Sequence, residues 1–304
     1  MSQTPSTTPA AAASATTNPL YNPTLPTDRA LLHQTLRPAP DATALCAPCI
    51  PSASALPNLT FPRTATTTSP SSSPSPTTNP SRRSRANVLL VIPTANASKT
   101  ALLTAHLAAT RPPHVAALTH LQIPAESGVG EQPYDEAGPR GAFNRVLGAV
   151  RALRAEERYA RVLGERGVGT VVVGAVENFV RRERERNADG GVVVPVDYGV
   201  VVFCRILLGE GEEEAEWEWR VGVSRGVTVP VEYWRAAEGF GFEDEGRMHG
   251  KVTVGEVMAA NLGVDKANWF LELASVSRYD LLGDAMKAME VPWPVAGDEP
   301  AVVV

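Results

Sequence analysis

The sequence predicts an α/β fold in which a mixed, twisted sheet is flanked by helices. Short, β-branched apolar runs in the first half of the chain alternate with segments whose leucines recur at helical spacing. Two long Val-rich runs in the second half are separated by a stretch of Gly and Glu, as in an antiparallel hairpin. Further apolar residues at helical spacing follow toward the C-terminus.

The first half of the predicted domain consists of strand, loop and helix units. The run Val88–Ile92 is short, apolar and β-branched, which is typical of a buried strand. Leu102, Leu103 and Leu107 then recur at helical spacing. We predict, in order, a strand at Val88–Ile92, a helix at Lys99–Thr110, a strand at Val115–Ile123, a helix at Gly141–Arg166 and a strand at Val168–Val176.

The second half is predicted to hold the hairpin and the remaining helices. The run Arg181–Arg186 alternates in charge, which is typical of an exposed helix end or a solvated loop. Pro230 is suited to the first turn of a helix, where its missing N–H costs nothing. We predict hairpin strands at Val192–Leu208 and Glu216–Val229 around an acidic turn at Gly209–Glu214, then helices at Val231–Ala237, Val254–Leu262 and Ser277–Met289.

The chain of 304 residues divides by composition into three parts. Residues 1–86 are dominated by Ser, Thr, Pro and Ala, and such a segment buries too little apolar surface to offset the entropy of ordering. We therefore predict that residues 1–86 are disordered, that residues 87–290 form one domain, and that residues 291–304 are a C-terminal tail.

Charge and hydropathy restrict the partners. The net charge is -5 and the pI is about 5.6, so a nucleic acid partner is not predicted. No apolar run is long enough to span a bilayer, and the first residues lack the pattern of a secretory signal. We expect a cytoplasmic protein without a membrane span, whose N-terminal segment is free to bind protein partners.

Three cysteines do not indicate a disulfide framework. Cys46 and Cys49 form a lone Cys-Ala-Pro-Cys, which lacks the second pair of ligands that a zinc site needs, and Cys204 lies in an apolar run. We interpret all three as unpaired thiols in a reducing compartment.

The loop after the first strand has the features of a phosphate site. Thr94 and Asn96 lead into a helix whose first turn carries Lys99. The free backbone N–H groups and the dipole of a helix N-terminus attract an anion, and a lysine adds a mobile cation. A plain Asn cap with a lysine in solvent is the structural alternative.

Three further features follow along the chain. They are the acidic, Gly-bearing run Glu126–Pro133, the helix start Gly141–Arg145 with Asn144 and Arg145, and Glu177 at the end of an apolar strand. In open α/β sheets, strand ends converge on a crevice where ligands bind. A carboxylate there can hold Mg²⁺ and orient water toward a phosphoryl group.

In this order, the motifs resemble those of the inosine/xanthosine triphosphatase family, whose fold is that of the inosine triphosphate pyrophosphatases and Maf proteins. The resemblance implies Mg²⁺-dependent hydrolysis of deaminated purine nucleoside triphosphates, with Mn²⁺ as a substitute. Under it Glu177 holds the metal or acts as the base, and Lys99 is catalytic. The residues that it places around the nucleotide are Thr94, Asn96, Lys99, Asn144, Arg145, Ser277 and Arg278. It also implies a homodimer, which the apolar hairpin favours as well.

Late motifs are similar to a second family with the same domain. Four short segments resemble the C-terminal domain of the proline-rich coiled-coil protein family: Val176–Phe179, Val252–Val257, Trp269 and Val276–Arg278. That resemblance implies a non-catalytic binding module associated with the early secretory pathway. Bulky residues at Ala267–Ala274 stand where the first family has glycines, so we expect Trp269 and Phe270 to fill the cleft if the module is non-catalytic.

Overall fold

The computed structural model describes residues 18–32, 34–61, 84–187, 190–210 and 214–296. Its eleven strands in these ranges are β1 (Leu36–Arg37), β2 (Thr60–Phe61), β3 (Ser84–Ile92), β4 (Ala117–Gln122), β5 (Gln132–Pro133), β6 (Val168–Asn187), β7 (Gly190–Leu207), β8 (Gly209–Glu210), β9 (Glu216–Val223), β10 (Gly226–Thr228) and β11 (His249–Gly250). Its α-helices there are α1 (Ala42–Cys46), α2 (Ala97–Ala109), α3 (Ala137–Ala155), α4 (Glu157–Glu165), α5 (Val231–Gly239), α6 (Val254–Leu262), α7 (Trp269–Ala274) and α8 (Arg278–Lys287).

The main sheet of the described chain has seven strands, in the order β1-β10-β7-β6-β3-β4, and β9 also pairs with β7. Strand β3 is parallel to β4 and β6, whereas β6, β7, β9, β10 and β1 pair in antiparallel fashion. The sheet is therefore mixed, and helices cover it. The predicted α/β class with a mixed sheet flanked by helices is confirmed.

The two faces of the sheet carry separate apolar clusters. Helix α3 packs Phe143 and Val150 against one face, and α2 and α8 pack Leu103 and Leu282 against the other. A third cluster joins α5, α6 and α7 around buried aromatic side chains such as Trp269. None of the helices in the described ranges has both the length and the apolar character needed to cross a bilayer.

Three predicted elements differ from the structure. The predicted strand Glu216–Val229 is two strands, β9 and β10. Helix α3 begins at Ala137 rather than Gly141, and Glu156 has extended backbone angles that separate it from α4, so Gly141–Arg166 is not one helix. The run Arg181–Arg186 was predicted as a helix end or a loop, but it continues β6, paired residue by residue with β7. Its alternating charges follow the period of two that places successive side chains on opposite faces of a strand.

The prediction of disorder for residues 1–86 is wrong for the described segments 18–32 and 34–61. Leu25 and Leu32 are buried in the third cluster, and Cys46 and Leu59 are buried under the face that α3 covers. Strand β1 extends the main sheet through β10. These few apolar residues are buried within clusters formed mainly by the domain, so composition alone did not reveal them. Residues 1–17, 33 and 62–83 lie outside the described residues, as do 211–213 of the acidic turn and 297–304 of the tail.

Candidate functional site

A cleft of about 270 Å³ lies where the parallel strands β3 and β4 end and β6 continues beyond them, paired with β7. Loops and helix starts from separate parts of the chain converge there, as expected for the carboxyl edge of an open sheet. The polar side chains that line it include Asn96, Lys99, Glu177, Asn178, Asp197 and Arg278.

Three helices begin at the cleft. Asn96 caps α2 by accepting a hydrogen bond from the Lys99 backbone N–H at 2.9 Å, and Thr253 caps α6 within a capping box that Glu256 completes. Ser277 caps α8 and accepts from the Tyr279 backbone N–H at 3.2 Å. The first turns of all three helices line the same space. Because a helix N-terminus carries a partial positive charge, their convergence favours an anionic ligand.

Glu177 is the centre of an ion-pair network at the cleft. Its Oε1 lies 3.3 Å from Lys99 Nζ, and its Oε2 accepts from Arg145 Nε at 2.7 Å. Burial would raise the pKa of this carboxyl, but Lys99 and Arg145 outweigh burial and lower it. Glu177 is therefore ionised at neutral pH, and Lys99 also donates to the Val176 carbonyl at 3.3 Å.

A second carboxylate, Asp197 on β7, lines the same cleft but lies in a different environment. Its Oδ2 accepts from Arg278 Nη2 at 2.6 Å, while its buried Oδ1 has no hydrogen-bond partner in the described part of the protein. Burial raises the pKa of Asp197 to about 6, although Arg278 and Lys99 oppose the shift. The Arg278 guanidinium also lies 4.6 Å from the centre of the Phe270 ring, a cation–π contact.

Asn178 adds another unsatisfied group. Its buried Nδ2 has no partner among the described residues, and the same holds for Arg278 Nε. Buried polar atoms are normally hydrogen-bonded, so these atoms and Asp197 Oδ1 are suited to bind a ligand or ordered water. The sequence analysis missed Asp197 and Asn178. A single carboxylate within the Val-rich run of β7 was the available signal.

The remaining predicted site residues lie behind the cleft. Thr94 Oγ1 accepts from the Asn96 backbone N–H at 3.1 Å and so shapes the loop before α2. Asn144 Nδ2 donates to the Ser127 carbonyl at 2.7 Å, and Arg145 Nη1 donates to the Ala125 carbonyl at 2.6 Å. The structure thus brings Asn96, Lys99, Glu177 and Arg278 together around the cleft. The other predicted site residues hold the loops, the helix starts and the Glu177 side chain around the cleft in place: Thr94, Asn144, Arg145 and Ser277.

The run Glu126–Pro133 supports the start of α3. Gly128 and Gly130 have left-handed backbone angles with φ of 66° and 69°, which favour glycine. A Cβ on Gly141 would lie 2.7 Å from Val129 Cγ2 and 3.4 Å from Glu177 Cγ. The glycines therefore let this loop pack closely against α3 and the Glu177 side chain.

Trp269 and Phe270 do not fill the space between Lys99 and Glu177. Both are buried in the apolar cluster with Tyr233 and Val257, and only Ala267 of the segment Ala267–Ala274 lines the cleft. The packing expected for a non-catalytic module is therefore not observed.

The described residues offer limited ligands for a metal ion. They contain no group of three or more His, Cys, Asp or Glu side chains placed to hold one. The cleft is lined by four acidic residues, Glu131, Glu177, Asp197 and Glu256. Mg²⁺ is commonly held by one or two carboxylates together with phosphate oxygens of the substrate. The donor set therefore fits a metal that arrives with a phosphorylated ligand.

No family model matches the chain, and no curated protein matches it. Among solved structures, the chain is similar to protein VC0702 from Vibrio cholerae, with 16% sequence identity over 66% of this chain and 91% of that chain. The TM-score is 0.38, a value at which the similarity supports no conclusion about fold or function.

Proposed function

We propose that the protein is a Mg²⁺-dependent hydrolase of deaminated purine nucleoside triphosphates, inosine or xanthosine triphosphate, that removes them from the nucleotide pool. The observation that carries the proposal is the convergence of three helix N-termini on a cleft that also holds Lys99 and Arg278. The choice of purine rests on the resemblance of the motifs given above.

The network around Glu177 supports a role in phosphoryl chemistry. Lys99 makes the longer contacts, because its Nζ lies 3.3 Å from Glu177 and from one carbonyl, whereas Arg145 donates at 2.7 Å. We propose that Lys99 turns toward the phosphates while Arg145 holds Glu177 in place. Mg²⁺ bound with the triphosphate would neutralise charge on the phosphate oxygens, with Glu177 as the residue that holds it. An ionised Glu177 then orients the attacking water.

A second function is favoured by the same ion pairs. Both oxygens of Glu177 are already paired with cations, so the negative charge of this carboxylate is compensated without a metal. A non-catalytic module would keep this arrangement and bind an anionic ligand without hydrolysing it. Association with early secretory membranes belongs to this alternative, whereas the hydrolase is proposed to be cytoplasmic.

One experiment separates the two functions. The full chain is incubated with Mg²⁺ and inosine, xanthosine or adenosine triphosphate, and released phosphate and pyrophosphate are both measured. We expect hydrolysis of the first two and its loss in Glu177→Gln. Glu157→Gln is the matched control, because the Glu157 side chain is 90% exposed on α4.

Failure to release either product from any nucleotide would exclude the hydrolase, and so would equal rates in the two variants. Binding of a non-hydrolysable triphosphate without turnover would then support the non-catalytic module.

A homodimer is proposed as the assembly. Strand β9 pairs with β7 along one edge, and no strand of the described chain pairs with its other edge. Such an edge can pair with a second copy or must be protected from doing so.

A further inference from the structure

Cys46 and Cys49 lie within one turn of right-handed backbone. Cys46 ends α1, and Cys49 ends the 3₁₀ turn Ala47–Cys49 that follows directly. Cys46 and Ala47 both have right-handed helical angles, so the chain does not change direction between the two cysteines. Residues three apart on a helical turn have Cβ atoms about 5–6 Å apart. Disulfides join residues whose Cβ atoms are about 3.5–4.5 Å apart, so a bridge requires this turn to tighten by about 1–2 Å between the two Cβ atoms.

The two thiols differ in access. Cys46 is fully buried beneath α3 and β9, whereas Cys49 is partly exposed. Cys49 Sγ donates to the Glu136 carbonyl at 3.5 Å, immediately before α3, and lies beside Arg140. The accessible thiol, Cys49, can react with a disulfide from solution and form a mixed disulfide. The shielded thiol, Cys46, can then resolve that mixed disulfide.

We propose that Cys46 and Cys49 are a redox-active dithiol that small-molecule disulfides such as oxidised glutathione convert to an intramolecular disulfide. The Cys49 thiolate attacks one sulfur of the glutathione disulfide, a mixed disulfide forms, and one glutathione thiolate leaves. Cys46 then loses its proton and attacks Cys49 Sγ, which releases the second glutathione. The two protein thiols together lose two electrons, and one glutathione disulfide is reduced to two thiols.

The environment sets the pH dependence of this exchange. Burial raises the pKa of both thiols, and for Cys49 the neighbouring Arg140 opposes that effect. The charged groups that face Cys49 are Arg140 and Glu136 of the α3 start. Because the thiolate is the reactive form, oxidation should be slow at neutral pH and faster as the pH rises.

The consequence of oxidation falls on the first turn of α3. Cys49 Sγ can no longer donate to the Glu136 carbonyl once it is bonded to Cys46. Helix α3 also carries Arg145, which holds Glu177. The dithiol therefore contacts the start of the helix whose Arg145 pairs with Glu177 of the cleft.

The test is a titration of the full chain in glutathione buffers from fully reduced to fully oxidised, followed by alkylation, trypsin cleavage and mass spectrometry. Cys46 and Cys49 lie in one tryptic peptide, residues 30–63, and Cys204 lies in another, residues 187–205. We expect the first peptide to lose two hydrogens and both alkyl groups in oxidising buffer and to regain both alkyl groups after dithiothreitol. Cys204 serves as the internal control, because it is buried in β7. Full alkylation of Cys46 and Cys49 after unfolding, at every buffer composition, would overturn the proposal.

Two variants test the assigned roles. Cys46→Ser should trap one glutathione on Cys49, and Cys49→Ser should leave Cys46 without glutathione. The opposite pattern would overturn Cys49 as the attacking thiol. Because Cys46→Ser alters the core, circular dichroism must show that this variant is folded. If it is not, the mixed disulfide is sought in the wild-type chain at short times after acid quenching, and glutathione found on Cys46 alone would contradict the proposal.

Discussion

The ionisation of Asp197 gives the sharpest test of the cleft. Asp197 is buried on β7 with one oxygen on Arg278 and the other without a partner among the described residues. Burial outweighs the attraction of Arg278, so the folded pKa is about 6, against an ordinary value of 3.8. Replacing it by Asn keeps the shape and removes the titration.

The sign and size of the effect follow from linkage. A carboxyl whose pKa is raised in the folded state gives its full contribution to stability below its unfolded pKa, and that contribution is lost as the pH rises through the folded pKa. A shift of about two units corresponds to roughly 3 kcal/mol. The free energy of unfolding should therefore fall by about 3 kcal/mol between about pH 4 and pH 6 because of Asp197, and stay level above that range.

Glu177 changes the free energy of unfolding with pH in the opposite direction, so its contribution must be separated from that of Asp197. Its folded pKa is lowered, so its contribution is present above the unfolded pKa and is lost as the pH falls through the folded value. The quantity to measure is thus the difference in free energy of unfolding between the wild type and Asp197→Asn, in which the Glu177 contribution largely cancels.

The assay is urea unfolding followed by circular dichroism from pH 4 to pH 8. Protein concentration is kept low, because the pI of about 5.6 falls inside this range. Asp280→Asn, an exposed change on α8, controls for the loss of one negative charge. A difference that is constant to within about 1 kcal/mol, or that grows with pH, would refute the reasoning, since Arg278 would then outweigh burial.

Three further predictions concern packing, ligand binding and assembly. Gly255→Ala should destabilise the protein by about 1–3 kcal/mol in thermal or urea unfolding, because its Cβ would lie 2.1 Å from the Lys266 backbone oxygen. The control Gly239→Ala should be neutral or stabilising, since nothing lies within 4 Å of its Cβ, and equal costs would contradict this account. Lys99→Met should weaken calorimetric binding of a non-hydrolysable inosine triphosphate analogue by about ten- to hundredfold. The control Lys287→Met, at an exposed position, should leave the affinity unchanged. Unchanged affinity in Lys99→Met would show that Lys99 does not contact the phosphates. Light scattering at micromolar concentration should give the mass of a dimer, and a monomer would contradict the proposed assembly.

Elements with two independent signals were predicted well from the sequence. Helix α6 has the bounds that were predicted for it. In the structure Thr253 and Glu256 form a capping box at its start, and Gly263 ends it with a left-handed φ of 66°. Strand β6 was predicted only as far as Val176, because its apolar run ends there and Glu177 and Asn178 follow. Its extension depends on pairing with β7, which supplies hydrogen bonds irrespective of side-chain polarity.

The N-terminal segments show a different limit. Composition measures how much apolar surface a segment has, but not whether a neighbouring surface is available to bury it. Leu25, Leu32, Cys46 and Leu59 are few in number, yet each is buried against the domain. Once the domain has folded, ordering such a segment is offset by contacts that the segment could not make alone.

The cleft was predicted from the sequence in part. Its position was predictable, because Lys99 follows β3 and Glu177 comes just after the part of β6 that pairs with β3, although β6 itself does not end there. Its electrostatics were not, because the two carboxylates differ in the number of cations that reach them. Glu177 contacts Lys99 and Arg145 and has a lowered pKa, whereas Asp197 contacts only Arg278 directly and has a raised one. These cations come from α2, α3 and α8, so the opposite shifts are a property of how three distant segments pack around one strand edge. At a pH between their two pKa values, one of these carboxylates is ionised and the other is protonated. Such a difference allows one carboxyl to act as a base and the other as an acid.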